Sequence, residues 1–169
     1  MIFVTVGSST IPFDRLLRAV DEVDVNERLI VQHGASMIRP RHAECVGFLD
    51  YAEFVGLVRR ARVTVTHAGV GSIITALAEC RRPIVVPRLC SYGEAIDDHQ
   101  VPFARRAGEL GLITLVENID HLGSAIAEYS PGSLAPSTRS SPIELELRSY
   151  IEECIGPAAT LVMRSGTAA

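Results

Sequence analysis

Two short polar segments of the sequence carry residue types that bind anionic ligands, and the first is HAGVGS at residues 67–72. It lies where an apolar, strand-like run gives way to a helical pattern. Gly69 and Gly71 let the backbone turn sharply and approach a ligand without interference from a Cβ atom. The helix that follows presents unpaired N–H groups and the positive end of its dipole, which favour a phosphate group. We therefore predict a phosphate-binding loop with Ser72 as an added hydroxyl donor; the alternative is a glycine-rich turn that binds nothing.

Three better-known motifs with similar residues do not fit this loop. Ile74 stands where the dinucleotide-binding pattern G-x-G-x-x-G has its third glycine, and the Lys-Ser or Lys-Thr pair of a P-loop is missing. A nucleophile elbow requires G-x-S-x-G, and the neighbours of Ser72 differ from that pattern. Ser72 is therefore expected to donate a hydrogen bond rather than to act as a nucleophile.

The second polar segment follows the next apolar strand, within RPIVVPRLCSYGEAIDDHQ at residues 82–100. Ligands of open parallel sheets bind beyond the carboxyl ends of the strands, where this segment is expected to lie. Carboxylates, an amide and an imidazole gathered there are typical of sites for hydroxyl-rich ligands such as sugars. The alternative for Asp97 and Asp98 is that they cap the next helix. The polar side chains in question are Arg88, Glu94, Asp97, Asp98, His99 and Gln100.

Composition narrows the classes of partner and the cellular compartment. The 169 residues carry a net charge of −4, which argues against a general nucleic-acid-binding surface. The sequence contains no Lys, so Arg is the only permanent side-chain cation available to an anionic ligand. No apolar run reaches the roughly 18–20 residues of a membrane span, and MIFVTVG at the start fits a first strand better than a signal peptide. A reducing cytosol is favoured over a metal site or a disulfide framework, because no C-x-x-C pair occurs among Cys45, Cys80, Cys90 and Cys154.

The elements that must position these segments alternate between short β-branched runs and helical patterns. Such alternation predicts βαβ units and a Rossmann-like α/β fold, in which helices cover both faces of a mostly parallel sheet. We expect one such domain over residues 1–129. The expected strands are 2–6, 28–32, 45–48, 62–66, 83–86 and 113–116.

Helices are expected between these strands. One begins near Pro12, another at Asp50 with a D-x-x-E capping box, and a third covers 71–80. A fourth begins at Asp97 or Asp98, and a fifth lies around 119–126. In the third helix, Ile73, Ile74, Leu77 and Ala78 are expected to face the core, and Ser72, Thr75 and Glu79 to face away.

The sequence changes character after Tyr129. Residues 130–142, SPGSLAPSTRSSP, are rich in Ser and Pro and are expected to form a linker. Ser141 and the residues after it form a good helix start, so 143–155 are expected to be a C-terminal helix, which either packs on its own domain or docks on a partner. The tail at 156–169 is expected to be disordered.

Taken in order, these segments resemble the nucleotide-sugar-binding half of a GT-B glycosyltransferase, of the type of the glycosyltransferase family 28 C-terminal domain. They are similar to the small catalytic subunits of two-component UDP-sugar transferases. One such subunit adds the second GlcNAc to a dolichol-linked acceptor in eukaryotes, and others act in bacterial exopolysaccharide and capsule synthesis with a membrane-associated partner. The resemblance is carried by residues 1–21, 31–36, 65–77 and 83–100.

The resemblance implies a role for each matching position. The donor diphosphate would be held by His67, Ala68, Gly69, Gly71 and Ser72. The sugar hydroxyls would be bound by Asp98, His99 and Gln100. The nucleoside or the cleft would be lined by Gly7, Ser8, Thr75, Arg88 and Glu94. Many relatives bind the ribose through a Glu six residues after the first motif glycine; here that position is Thr75, and Glu79 is not an obvious substitute.

The resemblance also implies an inverting, metal-independent hexosyl- or N-acetylglucosaminyltransferase. It would use UDP-GlcNAc, UDP-Glc or UDP-Gal as substrate, without a cofactor, and act on a lipid-linked acceptor. The helix N-terminus, with His67, Gly71 and Ser72, would stabilise the charge that develops on the leaving diphosphate. No general base is identifiable, and we expect it to come from a membrane-associated, acceptor-binding partner subunit. The chain would then be cytoplasmic and peripheral at the membrane through that partner.

Two other classes of function are weighed against this one. A non-catalytic nucleotide-sugar-binding or regulatory protein would have the same fold, and the missing ribose Glu favours it, whereas the cluster of Asp98, His99 and Gln100 favours an active donor site. An NAD-dependent oxidoreductase is disfavoured, because the first β–α loop, GSSTIP, differs from the dinucleotide fingerprint.

Overall fold

The computed structural model describes residues 1–24, 26–79 and 81–130, all of which belong to a unit that spans Met1–Leu134. The predicted C-terminal helix and tail, and all of the predicted linker after residue 130, lie outside the described residues. They stay predictions.

Six parallel strands form one sheet in the order β3-β2-β1-β4-β5-β6. The strands are β1 Ile2–Thr5, β2 Leu29–Gln32, β3 Glu44–Val46, β4 Val63–His67, β5 Ile84–Val86 and β6 Thr114–Leu115. Every neighbouring pair is parallel, which confirms the predicted class of fold. The order of the strands reverses between β1 and β4. The loops that follow these two strands therefore diverge at the centre of the sheet, where ligands of this topology bind.

Five α-helices follow the strands within the described residues. They are α1 Asp14–Glu22, α2 Tyr51–Arg60, α3 Val70–Ala78, α4 Gln100–Glu109 and α5 Leu122–Ala127. The predicted capping box of α2 is confirmed: Glu53 N donates to Asp50 Oδ1 at 2.8 Å, and Asp50 N donates to Glu53 Oε2 at 3.1 Å. These two bonds satisfy N–H groups that the first helical turn would otherwise leave unpaired.

Alternate residues of the central strands build one apolar core on each face of the sheet. The first core packs α1 and α5 against the sheet and includes Ile2, Val4, Leu16, Val31, Val65 and Ile126. The second packs α2 and α3 against the opposite face and includes Phe3, Ile30, Leu57, Val58 and Ala76. The prediction of helices on both faces is therefore confirmed.

The buried side of α3 differs from the prediction. Its buried residues are Ile73, Thr75 and Ala76, whereas Ala78 is exposed. The prediction is therefore wrong for Thr75 and for Ala78. The reason is that α3 packs against α2 as well as against the sheet, and Ala76 joins the same cluster as Leu57 of α2.

Candidate functional site

The ring of His67 fills the space between the loop after β1 and the loop after β4. A Cβ atom at Gly7 would lie 2.7 Å from its Nε2 atom, and a Cβ atom at Gly69 would lie 2.8 Å from its Cε1 atom. Both distances are too short for a real side chain, so a side chain at either position would have to displace the ring of His67. Gly69 thus makes room for a neighbouring ring, a role that differs from the expected close approach to a ligand. The predicted residues Gly7, His67 and Gly69 are brought together at the centre of the sheet.

The N-terminus of α3 offers open N–H groups next to this ring. The first backbone hydrogen bond of the helix runs from Ile73 N to Gly69 O at 3.1 Å, so the preceding N–H groups have no acceptor within the helix. Gly71 is exposed, and a Cβ atom there would meet nothing within 4 Å beyond its chain neighbours and its own helix. Ser72 is half-buried in the same turn, whereas Ala68 is buried. This end of α3 has both the donors and the space that a phosphate group needs.

His67 is a neutral residue at physiological pH. Burial lowers the pKa of its imidazole to about 4, and the positive charge of Arg88 lowers it further in the same direction. Its Nδ1 atom lies 3.3 Å from Thr66 Oγ1. Of the two contributions expected from His67, a hydrogen bond therefore fits the structure at neutral pH better than a positive charge does.

The backbone groups of Gly7 face inward, toward a buried amide. Gly7 has φ +78°, and its N–H group donates to Thr5 Oγ1 (3.1 Å) and Gln32 Oε1 (3.2 Å). Gln32 Nε2 donates to the carbonyl oxygens of Gly7 (3.0 Å) and Gly47 (2.9 Å), and Thr5 Oγ1 donates to Gln32 Oε1 (2.6 Å). The N–H and carbonyl groups of Gly7 are therefore engaged within the protein. The next residue, Ser8, is exposed and is the better candidate for contact with a ligand.

Arg88 was expected along the cleft, but its side chain is only 2% exposed. Nη1 donates to the carbonyl oxygens of Ile11 (2.9 Å), Pro12 (3.2 Å) and Glu94 (2.9 Å). Nη2 donates to Val6 O at 2.8 Å. Arg88 therefore joins the end of β1 and the loop before α1 to the loop after β5, and it has no exposed surface for a ligand.

Glu94 is likewise buried and engaged. Arg15 of α1 donates to its carboxylate through Nε and Nη2, both at 2.8 Å, and Leu89 N donates at 3.1 Å. The guanidinium of Arg15 also lies 5.1 Å from the centre of the Tyr92 ring. Glu94 thus fixes the loop after β5 on α1, and direct contact of its carboxylate with a nucleoside stays a prediction.

The segment predicted to bind the sugar lies at the same edge of the sheet as α3. This follows because β4 and β5 are neighbours, with His67 opposite Val86. His99 and Asp98 are exposed there. The Oε1 atom of Gln100 is buried and has no hydrogen-bond partner among the described residues. An unpaired buried acceptor is costly, so Gln100 has an unused hydrogen-bonding capacity at this edge.

The expectation that Asp97 or Asp98 caps α4 is wrong. The residue before the helix is His99, and no side chain caps it. Both carboxylates have nearer donors in the turn before the helix: Cys90 N donates to Asp98 at 2.7 Å, and His99 N donates to Asp97 at 3.1 Å. The ring of His99 also contacts the Asp97 carboxylate.

Neither the hydroxyl group of Thr75 nor the carboxylate of Glu79 is free to bind a ribose. The buried hydroxyl of Thr75 donates to Gly71 O at 2.8 Å. Arg59 of α2 donates to the carboxylate of Glu79 through Nε (2.5 Å) and Nη2 (3.0 Å). The departure from the usual ribose-binding pattern therefore persists in three dimensions.

A groove of about 900 Å³ lies on another part of the surface, between α1, the turn at 92–94 and α5. Its walls include Arg15, Arg18 and Leu122, and none of them belongs to residues 67–72. The candidate phosphate site at α3 is therefore separate from this groove.

The profile of the glycosyltransferase family 28 C-terminal domain matches residues 1–153. The chain belongs to this family. That membership agrees with the resemblance found in the sequence and with the parallel sheet.

Two fungal relatives of the family 28 chain are both named UDP-N-acetylglucosamine transferase subunit ALG13. The relative from Eremothecium gossypii is 35% identical over 95 residues, which cover 55% of this chain and 45% of the relative. The relative from Yarrowia lipolytica is 26% identical over 170 residues, which cover 92% of this chain and 84% of the relative. The chain thus spans less than half of the first relative and most of the second.

Solved structures agree with the fold of the family 28 domain. The glycotransferase of kitacinnamycin is 23% identical, with a TM-score of 0.58, and the match covers 96% of this chain and 42% of that one. The solution structure of ALG13 is 18% identical, with a TM-score of 0.55, and the match covers 92% of this chain and 95% of that one. At these identities the agreement concerns the fold alone.

Sequence reasoning missed three residues that hold the site of the family 28 domain. Gln32 and Thr5 position Gly7, and Arg15 holds Glu94. A polar residue at the end of a buried strand was the available signal for Thr5 and Gln32. Arg15 gave no such signal, because its partner lies 79 residues away in the sequence.

Within the described residues, no helix combines the length and the apolar character that crossing a bilayer requires.

Proposed function

We propose that the chain is the donor-binding, catalytic subunit of an inverting, metal-independent UDP-sugar glycosyltransferase. The observation that carries the proposal is the open N-terminus of α3 beside neutral His67, at the point where the strand order reverses. UDP-GlcNAc is the first candidate donor because both fungal relatives are named for it. UDP-Glc and UDP-Gal are the other candidates.

The proposed reaction breaks the bond between the anomeric carbon and the diphosphate oxygen. An acceptor hydroxyl attacks the anomeric carbon from the opposite side, its proton passes to a base, and UDP leaves with the bonding electron pair. The N–H groups at Gly71 and Ser72, with the dipole of α3, stabilise the negative charge that grows on the diphosphate. His67 contributes a hydrogen bond in its neutral form. Asp98, His99 and Gln100 bind hydroxyl groups of the sugar.

In this proposal the acceptor is lipid-linked and is held by a membrane-associated partner subunit, which also supplies the general base. The chain is then cytoplasmic and reaches the membrane through that partner, in polysaccharide or oligosaccharide synthesis. Support comes from the word subunit in the names of both relatives. Further support comes from apolar side chains, 62–88% exposed, in the segments that follow β2, β3 and β5 at the carboxyl end of the sheet: Met37, Phe48, Tyr51, Tyr92 and Ile96. Exposed apolar patches are typical of protein interfaces.

Calorimetry with UDP, UDP-GlcNAc, UDP-Glc and UDP-Gal, with and without magnesium, tests the donor site. Gly71→Val should abolish UDP binding without unfolding the protein, because the new side chain enters open space where the phosphate would lie. Gly56→Val is the matched control, since Gly56 also borders open space in a helix but lies in α2. Equal loss of UDP binding in both variants would contradict the proposal.

Gln100→Ala separates sugar binding from nucleotide binding. The variant should weaken UDP-sugar binding far more than UDP binding, because only the sugar uses the amide. Equal losses for both ligands would remove Gln100 from the sugar site. A purified chain that alone transfers sugar to a lipid acceptor at a normal rate would contradict the need for a partner.

A non-catalytic nucleotide-sugar-binding or regulatory protein is the second candidate. It is favoured by the absence of a ribose carboxylate on α3, where Thr75 bonds to Gly71 instead. Co-expression with a membrane-associated acceptor subunit separates the two: transfer of radiolabelled sugar by the complex supports the first candidate, and binding without transfer supports the second.

A further inference from the structure

Arg88 is a buried cation that pairs directly with no carboxylate among the described residues. Its side chain is 2% exposed, and its hydrogen-bond acceptors among the described residues are four backbone carbonyl oxygens. The nearby carboxylate of Glu94 is bound instead by Arg15, at 2.8 Å through each of two nitrogens. The Nε atom of Arg88 is buried and has no partner among the described residues.

Hydrogen bonds to these carbonyl groups do not by themselves require a charge, because neutral N–H groups also donate to carbonyl oxygens. Burying a guanidinium without a carboxylate partner is costly, and the ring of Phe13, 4.7 Å from Cζ, offsets only part of that cost. Burial lowers the pKa of Arg88, but a guanidinium is so strongly basic that the side chain stays charged at neutral pH. The fold therefore retains a permanent positive charge at this position.

Two contacts link this charge to the ring of His67, beside the candidate phosphate site. Nη2 of Arg88 donates to Val6 O at 2.8 Å, and a Cβ atom at the next residue, Gly7, would lie 2.7 Å from Nε2 of His67. The positive charge of Arg88 also contributes to the lowered pKa of His67, so its field reaches this ring. Charges interact more strongly inside a protein than in water, because the effective dielectric constant is lower and salt screens them less.

We propose that Arg88 is an electrostatic positioning residue, whose buried charge supplies positive potential to the bound diphosphate without touching it. The inference rests on the proposed function of the site. In the proposed site, the dipole of α3 is then reinforced by a full positive charge, which backbone carbonyl groups hold in place. The contribution of Arg88 to affinity should therefore increase with the negative charge of the ligand.

Calorimetry with UDP, UMP and uridine measures that dependence. Arg88→Gln removes the charge and keeps an amide donor, so we expect it to lower UDP affinity about tenfold and uridine affinity less than twofold, because a Coulomb interaction acts on the charged ligand and not on the neutral one. Arg62→Gln is the matched control, because Arg62 is a partly buried arginine at the amino-terminal end of β4 that pairs with Glu27. It should leave the ratio of UDP to uridine affinity unchanged. Equal losses for all three ligands in Arg88→Gln would overturn the proposal.

Arg88→Lys covers the case in which Arg88→Gln does not fold. Lys keeps the charge but loses the planar fork of donors, so the proposal requires an unchanged ratio of UDP to uridine affinity. A selective loss of UDP affinity in this variant would contradict it.

An NMR titration of the His67 ring tests the field without any ligand. The pKa of His67 should rise in Arg88→Gln and stay low in Arg88→Lys, and an unchanged pKa in Arg88→Gln would refute the claim that the field reaches the site. If the wild-type protein bound none of the three ligands, the proposed function would fail, but this titration would still decide the role of Arg88.

Discussion

The half-buried imidazole of His67 should make the stability of the domain depend on pH in a defined window. Its pKa is about 4 in the folded protein, against an ordinary value of 6.5. As the pH falls below about 6.5, the unfolded chain therefore takes up a proton that the folded protein does not. This stability is fully present above 6.5 and is lost as the pH falls toward 4. The difference between these two pKa values lowers the free energy of unfolding by about 2 kcal/mol between pH 7 and pH 5.

Urea denaturation of the wild type and of His67→Asn at pH 7, 6 and 5 measures this loss. The difference in the free energy of unfolding between the two proteins should shift by about 2 kcal/mol between pH 7 and pH 5, to the disadvantage of the wild type. Every group that titrates alike in both proteins cancels in that difference. His42→Asn is the control for the replacement of a histidine as such, because His42 is exposed.

A difference that stays constant within about 0.5 kcal/mol over this range would show that the pKa of His67 is not lowered in the folded protein, since a shift of one pKa unit is already worth about 1.4 kcal/mol. It would mean that His67 takes up its proton equally in the folded and unfolded states. The ring would then be open to water in the folded protein, and the account of His67 as a neutral hydrogen-bonding residue would fall with it.

Three further predictions concern stability. Gly7→Ala should cost more than about 2 kcal/mol in urea denaturation, because a left-handed φ of +78° is combined with contact between the new Cβ atom and the ring of His67, and adding His67→Ala should recover part of the loss. Gln32→Leu should cost about 2–4 kcal/mol by the same assay, because it leaves two partly buried carbonyl groups without donors, whereas Gln32→Glu should cost less at low pH, where the carboxyl group can donate again. Hydrogen bonds from Arg62 and the N-terminal amine lower the pKa of Glu27 to about 2. The contribution of Glu27 to the free energy of unfolding is therefore full above pH 4.5 and is lost as the pH falls toward 2. As the pH falls from 4.5 to 2, Glu27→Gln should lose about 2 kcal/mol less of its free energy of unfolding than the wild type does, after allowance for partial exposure to solvent.

The parts of the fold that depend on local pattern could be predicted from the sequence. Alternating β-branched runs and helical patterns indicated the six strands and the parallel sheet, because the central strands are buried on both faces. The capping box at Asp50 involves residues only three positions apart, so it was visible in the sequence. The glycine-rich loop at 67–72 was placed correctly at the carboxyl end of a strand.

The parts that depend on distant partners could not be predicted. Arg88 was expected near a ligand, yet its acceptors include Val6 and Ile11, about half the domain away along the chain. The predicted cap of α4 is wrong for a similar reason, since Cys90 N donates to the carboxylate of Asp98 instead. The neutral state of His67 depends on its burial, which only the assembled loops determine.

The two outer strands of the sheet affect how readily the chain associates with copies of itself. β3 has three residues and β6 has two, and Arg28 and Glu44 form a two-point ion pair at 2.7 Å beside β3. Long, uncharged outer strands invite pairing with strands of other molecules, which leads to aggregation. These short strands, one of them flanked by charge, discourage such pairing. The fold thus limits self-association through the edges of the sheet.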